Sequence, residues 1–240
     1  MKKIIISLFL ILPFLIKAQS NEGSKNADTV YKRIFYFGHT YQNQSFNNLN
    51  SRIASLGSAY EKVPQSIFGF NTGVISMKNN FLSKFNFSFG GGVKGGEEKR
   101  NTEIFAFQGS IEFGYNFSKN RNIQFYPLVG IGVSTFNLRL YKDLSSINFN
   151  DVLQSPTVQA STSPVKLANT FGNYKVGFEV DFTNKNAFSW LALFAGYSGS
   201  FEQSSWKVNK TQEVANAPAD GLSQFFVGLN FLMQRNRTRN

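Results

Sequence analysis

The chain has 240 residues, enough for one large β-fold, with 27 Phe, 20 Gly and only 16 % charged side chains. It has no Cys, which excludes a disulfide framework and a thiolate metal site. Of 25 basic residues, Lys2, Lys3 and Lys17 fall in a predicted export signal; the other 22 against 14 acidic residues leave +8, with no run long enough for a nucleic-acid arm. That charge reads as spread through loops and turns, and it attracts an anionic membrane surface only weakly.

Residues 1–18 read as a secretory signal: Lys2 and Lys3, an apolar run over 4–16, and small Ala18 before cleavage at Gln19. The run is too short to span a bilayer and contains Pro13, and no later stretch approaches the roughly 20 apolar residues a membrane helix needs. A mature chain that enters a membrane must then do so as a closed barrel. Residues 19–30 have the polar composition of a flexible leader.

The first predicted strand, 31–41, carries aromatics on both parities, and the long polar connection 42–64 has Leu49, Ile53 and Leu56 spaced for a short helical turn. The second strand, 65–77, alternates Phe68, Phe70 and Val74 with Gly69, Asn71 and Gly73, and Lys78-Asn79-Asn80 makes a tight turn. The third, 81–93, sets Phe85, Phe87 and Phe89 against Lys84, Asn86 and Ser88, and a connection over 94–101 follows. The fourth, 102–117, is the cleanest. Phe105, Phe107, Ile111, Phe113 and Phe117 share one face, while Gln108, Ser110, Glu112 and Asn116 share the other. After a reversal at 118–122 the fifth strand places Ile123, Phe125, Val129 and Ile131 opposite Gln124, Gly130, Gly132 and Ser134, and extends to about Tyr141. The stretch 142–168, with Pro156 and Pro164, reads as irregular.

The sixth strand, 170–182, sets Val176, Phe178 and Val180 against Lys175, Glu179 and Asp181, and a tight turn covers 183–186. The seventh, 188–203, is apolar on both parities near 190–194, which leaves its facing open. A polar loop, 204–221, leads to the eighth strand, 222–234, with Phe225, Val227, Leu229, Phe231 and Met233 on one face, and a basic tail covers 235–240. The connections after the second, fourth and sixth strands are short and the others longer, the pattern of an even-numbered up-and-down barrel with both termini at the turn end.

Alternation alone does not say which face is inside. Volume does, because an eight-stranded barrel has an interior only just wide enough to be filled by side chains. The large residues Phe85, Phe87, Phe105, Phe107, Phe113, Phe117, Phe178, Phe225 and Phe231 would overfill it, so they are expected to face outward to lipid, with Gly, Ser, Asn and Gln inside. Lys84, Glu112, Lys175, Glu179 and Asp181 then fall on the inward parity and are expected to pair in an internal charge cluster, since a buried charge is costly unless matched. Tyr41, Tyr141, Phe201 and Trp206 on the loop side, and Tyr126, Phe182 and Phe188 on the turn side, suit interfacial girdles.

This arrangement resembles the small outer-membrane β-barrel family, of the eight-stranded OmpA/OmpX-like type. The resemblance is carried by the signal, the strand pattern over 31–234, the turn and loop alternation, and a last strand in which Gly228, Phe231 and Met233 look like the family's C-terminal assembly signal. The chain departs from the family in ending its last strand on Met rather than an aromatic, and in continuing into a basic tail. The resemblance implies an all-β, eight-stranded antiparallel transmembrane barrel in the outer membrane with periplasmic termini. It also implies a monomer in outer-membrane lipid, inserted by the barrel-assembly machinery, with neither cofactor nor metal and an unnamed extracellular ligand at most.

Three other functions stand beside a structural or surface-interaction role. One is a narrow porin-like channel, and another is a soluble lipocalin-like carrier. The third is a lipid-modifying enzyme built on His39, the one histidine, although Gly38-His39-Thr40-Tyr41 lacks the His-x-Ser spacing of the deacylase type. The run 90–95 formally fits G-x-G-x-x-G, but a charged loop follows it instead of a phosphate-binding helix, and the Asn86-Phe87-Ser88 triplet sits inside a strand.

Overall fold

The computed structural model describes residues 31–55, 60–78, 80–96, 99–118, 122–141, 148–182, 189–209 and 212–234. The predicted signal, leader and basic tail lie outside them, as do most of the reversal at 118–122 and all of the turn at 183–186. Eight long strands form the wall: β1 (Tyr31–Gln44), β2 (Ser66–Lys78), β3 (Phe81–Gly96), β4 (Lys99–Tyr115), β5 (Ile123–Leu140), β6 (Val165–Phe182), β7 (Ser189–Ser200) and, last in the chain, β11 (Ser223–Gln234). Each pairs antiparallel with its sequence neighbour, and β1 pairs with β11 from Ile34↔Gln234 to Gln44↔Gln224, which closes the sheet. Closure leaves no free edge among these eight strands.

The period-2 patterning explains the wall. On β4, Ile104, Ala106, Gln108, Ser110 and Glu112 are buried while Phe105, Phe107 and Phe113 are exposed. The same division holds all the way round, with Phe113 55 %, Val129 58 %, Val176 53 % and Phe225 64 % exposed on four different strands.

Several connections differ from the sequence reading. The predicted loop over 94–101 is largely sheet: β3 and β4 run on to Gly96 and Lys99, with a register shift between Lys94 and Gly96. Continuing the ladder pairs backbone groups that a polar loop would leave to water. The stretch 142–168 contains two short helices, α2 (Phe149–Gln154) and α3 (Pro156–Thr162), and β6 already begins at Val165. Ser155 ends the first helix and caps the second, its side chain accepting from Val158 N at 3.4 Å.

Within the connection 42–64 a helix forms, α1 (Asn47–Ser55), whose Leu49 and Ile53 are buried; Leu56 lies outside the described residues. The stretch 201–222 contains three two-residue strands, β8 (Ser204–Ser205), β9 (Lys207–Val208) and β10 (Ala219–Asp220); β10 pairs with β8, and β9 adds to β6.

Candidate functional site

The interior is stacked in layers, and each strand lists them in order. Along β4 from the loop end, the inward residues run Ile104, Ala106, Gln108, Ser110, Glu112. Along β5 from the turn end they run Tyr126, Leu128, then Gly130 and Gly132, then Ser134, Phe136, Leu138 and Leu140. On β5 the polar and glycine positions are thus flanked by apolar ones on both sides. An apolar layer of Ile34, Tyr36, Ile75, Leu82, Tyr126, Leu128 and Leu232 closes the turn end, and a larger one closes the loop end. This corrects the expectation of an interior filled by Gly and small polar groups. A barrel whose ends are sealed by apolar side chains keeps water from its central charges.

The structure brings the five charged residues of the sequence reading into this central zone. Lys84 Nζ donates to Glu179 Oε2, with both side chains buried. Lys175 Nζ donates to Ser110 Oγ at 3.1 Å and to Glu112 Oε1 at 3.4 Å, and Ser110 Oγ donates to the same carboxylate oxygen at 2.7 Å. Asp181, fully buried, has no hydrogen-bond partner at either carboxylate oxygen among the described residues, and Glu179 Oε1 has none either.

Other partners were hidden from sequence reasoning. The Lys84 ammonium lies 4.7 Å from the Tyr36 ring centroid and 5.1 Å from that of Phe194, while Lys175 lies 5.4 Å from that of Phe226. Rings in these positions supply negative faces to cations cut off from water. They fit because glycine stands beside them: a Cβ at Gly228 would run into the Phe194 ring, and one at Gly196 would stand 2.6 Å from Phe226 Cζ. The available signal was the apolar doublet Phe225-Phe226, in which one ring must point in.

Above the charges, Gln42, Gln44, Gln108 and Gln224 form a belt. Gln224 Nε2 donates to Gln42 Oε1 at 3.0 Å and to Gln44 Oε1 at 3.2 Å, and Gln108 Nε2 donates to Gln224 Oε1 at 3.0 Å. Between the belt and the charges the void is about 20 Å³, room for about one water.

The loop end is capped by α1 and by Trp206. Asp220 accepts from the backbone N–H groups of Asn48 and Leu49 at 2.9 and 3.1 Å, and from Trp206 Nε1 at 2.8 Å. The carboxylate thus caps the start of a helix that it does not belong to. Phe46 packs edge-on to Trp206 at 5.2 Å and to Phe136 at 5.1 Å, which seats the cap on the inward face of β5. Trp206 is therefore a core residue and not a girdle aromatic, and Tyr126 likewise turns inward, its hydroxyl donating to Gln124 Oε1 at 2.6 Å. Phe188 lies outside the described residues.

The outward residues are placed as follows. Phe85 stands on the outer parity of β3, and Phe87 meets Phe107 edge-on at 4.9 Å. Phe105, Phe113, Phe117, Phe178, Phe225, Phe231 and Met233 are exposed, with Phe231 5.5 Å from Phe37 of β1. His39 is on the outer face too, its ring 4.6 Å from Phe70 and its sheet neighbours Phe70 and Leu229, remote from the interior carboxylates. Among the described residues no cluster of His, Asp and Glu suits a metal ion.

No family model matches the chain, and no curated protein matches it. Solved structures do. Neisserial surface protein A is 13 % identical with a TM-score of 0.46, covering 86 % of this chain and 99 % of its own. The outer membrane protein OprG from Pseudomonas aeruginosa is 12 % identical with a TM-score of 0.47, covering 86 % and 98 %. A major outer membrane protein from Thermus thermophilus is 7 % identical with a TM-score of 0.48, covering 83 % and 99 %. At such identities the likeness is one of fold, which the strand pairing of this chain establishes by itself.

Proposed function

We propose that this closed eight-stranded barrel is an integral outer-membrane protein, embedded as a monomer with its termini on the periplasmic side, which acts through its framework and its loop-end surface and not through chemistry of its own. The observation that carries the reading is the outer face, where every one of the eight strands presents large apolar side chains, from Phe35 and Phe70 through Phe113 and Val129 to Leu193 and Phe225. An apolar patch running right round a protein far exceeds what water tolerates on a monomer, whereas hydrocarbon covers it at no cost. Among the described residues no helix is long and apolar enough to cross a membrane. On this reading the outward phenylalanines face lipid, residues 1–18 are the export signal, and Gly228, Phe231 and Met233 belong to the segment read by the assembly machinery.

The central zone supports a plug over a channel, since between the amide belt and the charges there is room for about one water. That packing also favours the membrane reading over a lipocalin-like carrier, whose barrel holds its ligand in the interior. The sheet neighbours of His39 are Phe70 and Leu229, and neither is a nucleophile or an acid that could work with an imidazole. The test is fractionation of expressing cells, followed by electrophoresis with and without heating. Recovery in the membrane fraction, release only by detergent and a mobility that shifts on boiling are expected; a heat-insensitive protein in the soluble fraction contradicts the proposal.

A further inference from the structure

Inside the barrel the charges are unequal. Among the described residues the central zone holds two lysines, Lys84 and Lys175, and three carboxyl groups, Glu112, Glu179 and Asp181, all of them buried. Lys175 donates to Ser110 and Glu112, and Lys84 donates to Glu179 Oε2. Asp181 is the acid left over. Its two oxygens and Glu179 Oε1 are three buried acceptors without a donor among the described residues. Glu179 and Asp181 are two positions apart on the inward face of β6, and their carboxyl groups lie within hydrogen-bonding reach of each other. Two ionised carboxylates in that position cannot bond, because each only accepts.

We propose that Glu179 and Asp181 together form a proton-binding site, in which Asp181 carries one proton and donates it to Glu179 Oε1. The added O–H gives Glu179 Oε1 its missing donor and gives one Asp181 oxygen a partner, so one proton satisfies two of the three orphaned atoms. It also leaves two positive charges facing two negative ones, where a third buried carboxylate without a cation of its own would be costly. The proton belongs on Asp181 because the other Glu179 oxygen already accepts from the Lys84 ammonium. No hydroxyl nearby takes its place. Tyr126 of β5 donates to Gln124 Oε1 at 2.6 Å, and Tyr36 of β1 donates to Asn86 Oδ1 at 2.7 Å. Glu112 of β4 is held by Lys175, while β2, β7 and β11 bring only Ile75, Ala192 and Leu232 to this layer. The site lies in the interior and does not depend on what covers the outer face.

The test uses the full-length barrel in micelles, with carbon-13 at the aspartate side-chain carboxyls, read by NMR at neutral pH. Exposed Asp151 serves as the ionised reference. One aspartyl carboxyl is expected at the position of a protonated acid. That signal should vanish in Asp181→Asn, and in Glu179→Gln, where Lys84 has only Asp181 to pair with, it should move to the ionised position. Urea unfolding gives a second readout, because an aspartyl group in the unfolded chain is ionised above about pH 5 and folding must then take up the proton. From about pH 5 to 7 the unfolding constant of the unsubstituted barrel should therefore rise about tenfold more per pH unit than that of Asp181→Asn. Should Asp181→Asn fail to fold, the spectra of the unsubstituted barrel and of Glu179→Gln decide. Aspartyl carboxyls that are all ionised at neutral pH overturn the proposal, as does a protonated signal that survives either substitution, or equal slopes.

Discussion

At the scale of single residues, two lysines and three carboxylates are held inside a barrel. Lys84 and Glu179 are both buried, so their attraction is set against the cost of taking two ions out of water. Removing one partner leaves the other without compensation. Lys84→Met is therefore expected to cost about 3–5 kcal/mol, while Lys84→Met with Glu179→Met, which exchanges the pair for apolar side chains of similar length, costs much less. Urea unfolding in micelles checks this, and a double variant as unstable as the sum of the two singles contradicts it. The charges themselves were legible from the sequence, because each falls on the inward parity of a strand whose other face is aromatic. Their partners Tyr36, Phe194 and Phe226 were not, because an aromatic on an inward position looks the same in one dimension as one on an outward position. Only the strand pairing brings Phe194 over Gly228 and against Lys84.

At the scale of elements, the strands were readable to within a few residues and the cap was not. Each strand has one lipid-sized face and one interior face, so period-2 alternation persists over ten or more residues and survives local exceptions. The cap has no such periodic signature. Nine residues of α1, with only Leu49 and Ile53 buried, become a lid because Asp220, more than 160 residues later, accepts from the amides of Asn48 and Leu49 and from Trp206. The same lack of local signal hid the apolar seals: Leu128, Phe136 and Leu138 sit on the inward parity of β5 beside Gly130 and Ser134, and it is the barrel ends that make them useful. Asp220→Ala removes three acceptor contacts from one buried site. It should cost about 2–3 kcal/mol of local stability, enough to raise trypsin cleavage after the exposed Arg52 tenfold or more while the β-strands keep their protection. Unchanged cleavage means that α1 is held by apolar packing alone.

At the scale of the whole molecule, inside and outside have exchanged part of their usual roles. The outer face is the more uniformly apolar one, while the interior alternates seal, charge, amide belt and seal. This division gives the closed sheet a reason to stand in hydrocarbon, and on the proposed reading the loop end is the surface left for partners. The absence of native cysteine makes the direct measurement clean, since one introduced thiol carries one probe. A bimane label at Phe107→Cys, Phe178→Cys or Phe231→Cys, in bilayers containing spin-labelled acyl chains, should be quenched strongly; the same label at Ser134→Cys, on the inward face, should not. Equal quenching at the two sets of positions, or stronger quenching at Ser134, contradicts an outer face in contact with lipid.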